Sequence, residues 1–210
     1  MDADTCIVCG ATATHRDAHT GATICFQHAR IEVVGPPPRR LRSAHPQLAI
    51  RDITPDDQAA VRAILLAFWG KTANMLTYGH TYDLLAAPGI GAFAAAPGGE
   101  ELAGLLLWTI FEGRGLVLEL SIWPRYQGAG AASQLLALFE ERLRGQGIHD
   151  VILTTTNDNL PALAFYFAHG FTIERLLPGE VARHHATSDE DDVGFAGVQV
   201  RDEIQLVKRL

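Results

Sequence analysis

The stretch Tyr126-Gln127-Gly128-Ala129-Gly130-Ala131-Ala132-Ser133-Gln134-Leu135-Leu136 puts two glycines and three alanines into six positions. An apolar helical pattern follows at once, with Leu135, Leu136, Phe139 and Leu143 on one face. Bare backbone at the mouth of a helix suits an anion. The first N–H groups of a helix lack internal partners and carry the positive end of its dipole. A phosphate-binding turn is therefore expected. Two familiar forms of it do not fit. A P-loop requires Gly-Lys-Ser/Thr after the glycines, whereas Gly70-Lys71-Thr72 has no glycine five residues before Gly70 and no strand ahead of it. The dinucleotide fingerprint finds Gly128 and Gly130 but Ser133 at its third glycine, and Asp150 precedes the next strand instead of ending it.

Outward from this turn the chain alternates strands and helices. Leu48 to Ile53 reads as a strand, and Thr54-Pro55-Asp56-Asp57 opens a helix with a Thr cap, Pro at the first position and acid in the first turn. Val61, Ile64, Leu65 and Phe68 keep the helical period. An irregular region around GKTANMLTYGHTY leads to three strands: Ile90 to Ala96, LAGLLLWTIF and LVLELSIW. Turns at Pro97-Gly98-Gly99 and Gly113 to Gly115 join them into a meander. After the glycine turn and its helix come a buried strand, Val151 to Thr156, and a helix over PALAFYFAH stopped by Gly170. Strands FTIERLL and EIQLVKRL close the chain, separated by a polar segment with Asp189 to Asp192. The order predicts an α+β domain with a mixed sheet.

Two blocks in this order resemble the GNAT superfamily of acyl-CoA-dependent N-acetyltransferases. The first is SIWPRYQGAGAASQLL, matching a strand followed by [RQ]-x-x-G-x-[GA]. The second is N-x-x-A-x-x-[FLY]-Y-x-x-x-G-F, met by Asn159, Ala162, Phe165, Tyr166, Gly170 and Phe171. The resemblance spans residues 48–210 and implies a mainly antiparallel sheet flanked by helices. It further implies that acetyl-CoA binds with its pyrophosphate on the N–H groups of Gln127, Gly128, Ala129, Gly130, Ala131 and Ala132, small residues giving close access. The pantetheine arm would lie against the strand edge at Ile122, with Asn159 also contributing, and a backbone N–H near Ile122 would hold the oxyanion. Tyr166 matches the family's general acid; an ordinary pKa of about 10 keeps a tyrosine protonated at neutral pH. Glu119, a carboxylate in mid-strand among apolar residues, is the base candidate, an acceptor-binding group or an ion-pair partner. Alternation sets Glu119, Ser121 and Trp123 opposite Leu118, Leu120 and Ile122. No cysteine follows Cys25, so direct attack of a primary amine on acetyl-CoA in a ternary complex is expected. The acceptor, a small molecule or a peptide, would meet residues 70–88 and 178–200. Homodimers are common in the superfamily. His80, His169, His184 and His185 carry no assigned role. Two rival readings are an idle acyl-CoA-binding regulator and an interaction adaptor.

The first 34 residues have a different character. Cys6-x2-Cys9 and Cys25-x2-His28 have the count and paired spacing of a structural zinc knuckle, with His15 or His19 as alternative fourth ligands. So short a segment would take its folding free energy from the metal and offers a surface for a protein partner. GPPPRRLRSAHP marks a solvated linker over residues 35–47. Net charge is −7, and residues 1–45 carry five arginines against four acids, so the excess acid lies in the larger domain. Such a domain repels nucleic acid and attracts cations. The longest mostly apolar run, Glu101 to Phe111, falls short of the roughly 18 residues a membrane span needs. The N-terminal MDADTCIVCG has no signal-peptide pattern, and a cytoplasmic location is expected.

Overall fold

The computed structural model describes residues 15–16, 23–24, 47–69, 74–185 and 194–210. Cys6, Cys9, Cys25 and His28 lie outside the described residues, as do most of the linker and the Asp189 to Asp192 run. Ahead of the linker, strands β1 (His15–Arg16) and β2 (Thr23–Ile24) pair antiparallel.

The main sheet has seven strands: β3 (Leu48–Asp52), β6 (Gly89–Ala96), β7 (Gly99–Phe111), β8 (Arg114–Ile122), β9 (Asp150–Thr156), β10 (Thr172–Leu177) and β11 (Glu203–Arg209). Their order is β10-β11-β9-β8-β7-β6-β3. The β3–β6, β6–β7 and β7–β8 pairs are antiparallel, and β8–β9 is parallel. The chain packs as two compact units. One comprises Arg42–Thr154, Tyr166–Glu174 and Gln205–Leu210; among described residues the other includes Thr155–Phe165 and Arg175–Ile204.

In the first unit, helix α1 (Gln58–Trp69) lays Val61, Ile64 and Leu65 on the sheet, in one cluster with Phe93, Leu102, Leu105, Leu107, Leu116, Leu118 and Ile152. Helix α2 (Ala131–Gly145) buries Leu135, Leu136, Phe139 and Leu143, the face its periodicity indicated. It covers the opposite side, since Gly115 and Leu116 alternate across β8. A Cβ at Gly115 would come within 2.3 Å of Leu143 Cδ1, so this glycine lets α2 sit close on the strand.

The region read as irregular holds a hairpin, β4 (Asn74–Thr77) and β5 (His80–Asp83). Its two-residue turn, Tyr78-Gly79, has φ of +48° and +74°, the doubly positive backbone of a type I′ turn. Tyrosine in place of the usual Asn or Asp hid the signal. Thr77 is buried, and its hydroxyl meets that of Thr154 on β9 at 3.0 Å. The hairpin is thereby pinned against the sheet.

In the second unit, Asn157 and Asp202 tie the chain together. Asn157 Oδ1 accepts from the N–H groups of Arg201 and Asp202 at 2.8 Å, and Asp202 Oδ1 accepts from Gly179 N–H at 2.7 Å. Helix α4 (Glu180–His185), not expected from sequence, follows Gly179.

The start of α1 depends on Asp57. Its Oδ2 accepts from Thr54 N–H at 2.8 Å, and its carboxylate takes two bonds from the Arg51 guanidinium at 2.8 and 3.0 Å. These bonds from Arg51 hold the Asp57 carboxyl below the usual carboxylate range despite its burial. A depressed folded-state pKa means stability present above the unfolded value, about 4, and lost as pH falls below it. Asp57→Asn should cost about 1–2 kcal/mol at neutral pH. In urea melts against wild type, that difference should shrink progressively below about pH 4.

Candidate functional site

The site begins where two parallel strands part. β8 and β9 pair through Gly115↔Val151, Leu116↔Ile152 and Val117↔Leu153, and their recorded pairing ends there. β8 nevertheless runs on to Ile122, still paired with β7 as far as Gly104↔Ile122. From Leu118 onward, among the described residues, β8 has a strand partner on one side only. Trp123 N–H bonds Ala103 C=O at 2.8 Å, toward β7. Successive peptide groups of a strand face opposite sides, so the N–H groups of Ile122 and Leu120 point to the open side. On that side Gln127 Nε2 donates to Ile122 C=O at 3.0 Å. The glutamine side chain thus ties the glycine turn to the strand end.

A bulge sits at the parting. Leu107 pairs with Glu119 but Trp108 with Val117, leaving Leu118 as the extra residue. The expected alternation is therefore corrected: Leu118 packs in the α1-side cluster, and so does Leu107, which lies directly opposite Glu119. Leu118 and Glu119 share a face, and Ser121, opposite Leu105, joins them. A one-residue bulge is invisible to period-two counting.

Glu119 is 4% exposed and Ser121 9%. The Ser121 hydroxyl donates a hydrogen bond to Glu119 Oε1. Tyr166, on α3 (Leu160–Ala168), is 8% exposed and stacks edge-on against Phe171 at 5.2 Å. Burial, and then the charge of Glu119, push the Tyr166 hydroxyl well above its ordinary pKa. The two residues singled out for catalysis from the sequence, Glu119 and Tyr166, are thus both buried, and the charge of one bears on the hydroxyl of the other. Ser121 was named in the sequence only as a neighbour on the strand face; nothing but its offset of two from Glu119 could have drawn attention to it.

The glycine turn follows a short 3-10 segment, Pro124–Tyr126. Gly128 and Gly130 have φ of +80° and +81°. A Cβ at Gly130 would meet nothing nearer than Gln134 Nε2 at 3.8 Å, so this glycine is required by the sign of its backbone angle. Access, the reason first given for the bare turn, is a second benefit. Gln134 N–H bonds Gly130 C=O at 3.1 Å, the first turn of α2, so the N–H groups of Ala131, Ala132 and Ser133 precede the helical ladder. Ser133 Oγ lies 2.8 Å from His169 Nε2. Asn159 begins α3, its Oδ1 accepting from Ala162 N–H at 3.3 Å. That bond gives this residue a capping function of its own. No cluster of three or more potential metal ligands occurs among the described residues. No helix among them is long and apolar enough to cross a membrane.

Comparison with known proteins agrees with this geometry. The sequence model of the Acetyltransferase (GNAT) family matches residues 59–171, which contain α1, the meander, the glycine turn and Tyr166. Uncharacterized protein YxbD of Bacillus subtilis (strain 168) is 32% identical over 112 residues, covering 53% of this chain and 69% of that protein. An IAA acetyltransferase from Bacillus cereus ATCC 14579 superposes with a TM-score of 0.59 at 20% identity, over 78% of this chain and all of that one. A Bacillus subtilis acetyltransferase in complex with CoA superposes at 0.58 with 22% identity, over 78% of this chain and 99% of that one. Together with the parted strands and the glycine turn at the head of α2, these matches establish that the chain belongs to the GNAT family and is an acyl-CoA-dependent N-acetyltransferase.

Proposed function

We propose that the protein moves an acetyl group from acetyl-CoA to a primary amine by direct attack in a ternary complex. The observation that carries this reading is the buried Glu119 carboxyl on the stretch of β8 that has a strand partner on one side only, with the buried Tyr166 hydroxyl raised above its ordinary pKa by burial and then by the Glu119 charge. The N–H groups from Gln127 to Ala132 receive the pyrophosphate, and the open edge at Leu120 and Ile122 receives the pantetheine amides as an added strand would. A backbone N–H near Ile122 bonds the thioester oxygen as charge develops there. Asn159 stands with this group on the motif alone.

Glu119 accepts a proton from the ammonium form of the acceptor, directly or through water, and the freed amine nitrogen attacks the thioester carbon. As the C–S bond breaks, Tyr166 gives its hydroxyl proton to the departing thiolate, the acylated nitrogen returns its surplus proton to the tyrosinate through water, and Glu119 releases its proton to solvent. A phenol held above its ordinary pKa keeps its proton across the physiological range and yields it only as negative charge develops on the departing sulfur. Glu119 as an acceptor-binding residue is compatible with the same position. The β4–β5 hairpin supports contact with the acceptor: Tyr78 and His80 lie 5.3 and 5.4 Å from Phe111, an aromatic group suited to a cationic amine.

For residues 1–34 we propose one structural zinc held by Cys6, Cys9, Cys25 and His28. The pair of strands His15–Arg16 and Thr23–Ile24 falls between the second and third of these in sequence, which suits a knuckle. Three reduced thiols suit a cytoplasmic location. A protein partner would dock on this module, and a homodimer is compatible with the family.

Tyr166→Phe should lower turnover by roughly 10²–10⁴-fold while acetyl-CoA affinity, read by calorimetry, barely changes. The assay is thiol release over a panel of spermidine, kanamycin, a lysine peptide and a small aryl amine. Undiminished turnover removes Tyr166 as the acid. Full-length protein purified without chelator should carry one zinc per chain by elemental analysis, and Cys25→Ser should lose it. Metal-free, folded wild type overturns the zinc assignment.

A further inference from the structure

The sequence assigns His169 no role, yet the structure sets it against the head of α2. His169 Nε2 lies 2.8 Å from Ser133 Oγ, across 36 positions of chain. Ser133 is the third residue of α2 and, like His169, half-buried. We propose that His169 is a positioning residue for acyl-CoA: its Nε2–H donates to Ser133 Oγ and so turns the serine proton toward the pyrophosphate. This inference rests on the reading of the glycine turn as the seat of that group.

Both residues are held by their own elements. At the end of α3, Phe171 N–H bonds Tyr166 C=O and Gly170 N–H bonds Phe167 C=O, each at 3.1 Å, and Gly170 takes φ of +86°. This pair of bonds is a Schellman motif, and it fixes the backbone that carries His169. Buried Phe171 anchors the chain just beyond it. On α2, Cα–Cβ bonds tilt toward the helix N-terminus. The Ser133 hydroxyl is thereby carried toward the N–H groups of Ala131 and Ala132, which precede the helical ladder.

The direction of the bond decides what the hydroxyl does. A serine oxygen accepts from one neighbour while its proton points to another. Among the described residues, His169 is the one side-chain partner of Ser133. A histidine that occupies the oxygen as donor leaves the proton for an acceptor outside the protein. An accepting hydroxyl also becomes a better donor, because bonds in a chain polarise one another. Its bond to a phosphate oxygen is charge-assisted and stronger than a neutral one. In the opposite direction, Ser133 would spend its proton on Nε2 and turn a lone pair toward the anion. A phosphate at the turn therefore selects donation by His169.

The test is calorimetry of the full-length protein with acetyl-CoA and with its dephospho form, which keeps the pyrophosphate but lacks the ribose phosphate. An amide-shift titration with S-acetylpantetheine, which has no phosphate, accompanies it. In variants whose melting temperatures show them folded, Ser133→Ala should weaken both nucleotide ligands by about tenfold and leave S-acetylpantetheine unchanged. His169→Phe should lose most of the same factor, and the double variant no more than Ser133→Ala alone. His169→Gln, whose amide offers a donor in place of Nε2, should recover most of the affinity. Losses that multiply in the double variant overturn the proposal, as does an affinity that neither single substitution moves or that His169→Gln fails to recover. Equal weakening of S-acetylpantetheine overturns it by reducing the pair to a packing contact. A loss absent from the dephospho ligand overturns it by moving the contact to the ribose phosphate. The underlying reading fails separately: if the wild-type protein binds S-acetylpantetheine as tightly as acetyl-CoA, the turn holds no pyrophosphate, whatever the variants do.

Discussion

Everything in this molecule that bears on function depends on β8 losing its parallel partner after Val117 while remaining buried. A strand inside a seven-stranded sheet normally satisfies its peptide groups on both sides. Here the edge from Glu119 to Ile122 is paired on the β7 side, and its other side has no strand partner among the described residues. The remaining features hold that opening in shape. Gly115 lets Leu143 of α2 close onto β8, Gln127 clamps the Ile122 carbonyl, and Thr77 meets Thr154 one residue past the last β8–β9 pair. The glycine turn follows the strand end and leads directly into the first N–H groups of α2.

The bulge at Leu118 gives this frame its chemistry. Without it, a carboxylate one residue after Leu118 would fall on the opposite face, toward α2. With it, Glu119 joins the cluster face, where the Ser121 hydroxyl donates to it, and its charge bears on the Tyr166 hydroxyl. A buried acid with a hydroxyl donor is an expensive arrangement beside a cluster of leucine, isoleucine, valine and phenylalanine side chains. Proteins tolerate such conflicts between stability and local environment where activity needs them.

Much of the fold was legible because its signals are periodic. The α1 and α2 faces, the three-strand meander and the closing strands follow from apolar spacing and Gly/Pro turns. Tyr166 was singled out by its place in a motif that resembles the family's, and the glycine turn by its small residues at the head of a helix. What sequence reading missed has specific causes. The 74–83 hairpin turns on Tyr78-Gly79, where a tyrosine adopts a positive φ that its side chain gives no hint of. The bulge shifts register by one residue without altering composition, so Leu118 was put on the wrong face. The parting of β8 from β9 is a tertiary event, because VILTTT pairs for only three residues and nothing in those letters marks where pairing stops. Ser121 gained meaning only once its hydroxyl was seen against Glu119.

On this reading, the one-sided end of β8 and the turn at the head of α2 together form the acyl-CoA seat. A nitrogen-15 amide titration of the full-length protein with acetyl-CoA tests it most directly. The claim predicts saturable shifts concentrated at Leu120, Ile122 and Gly128 to Ser133. Saturable shifts confined to other residues, with those amides unmoved, would contradict it.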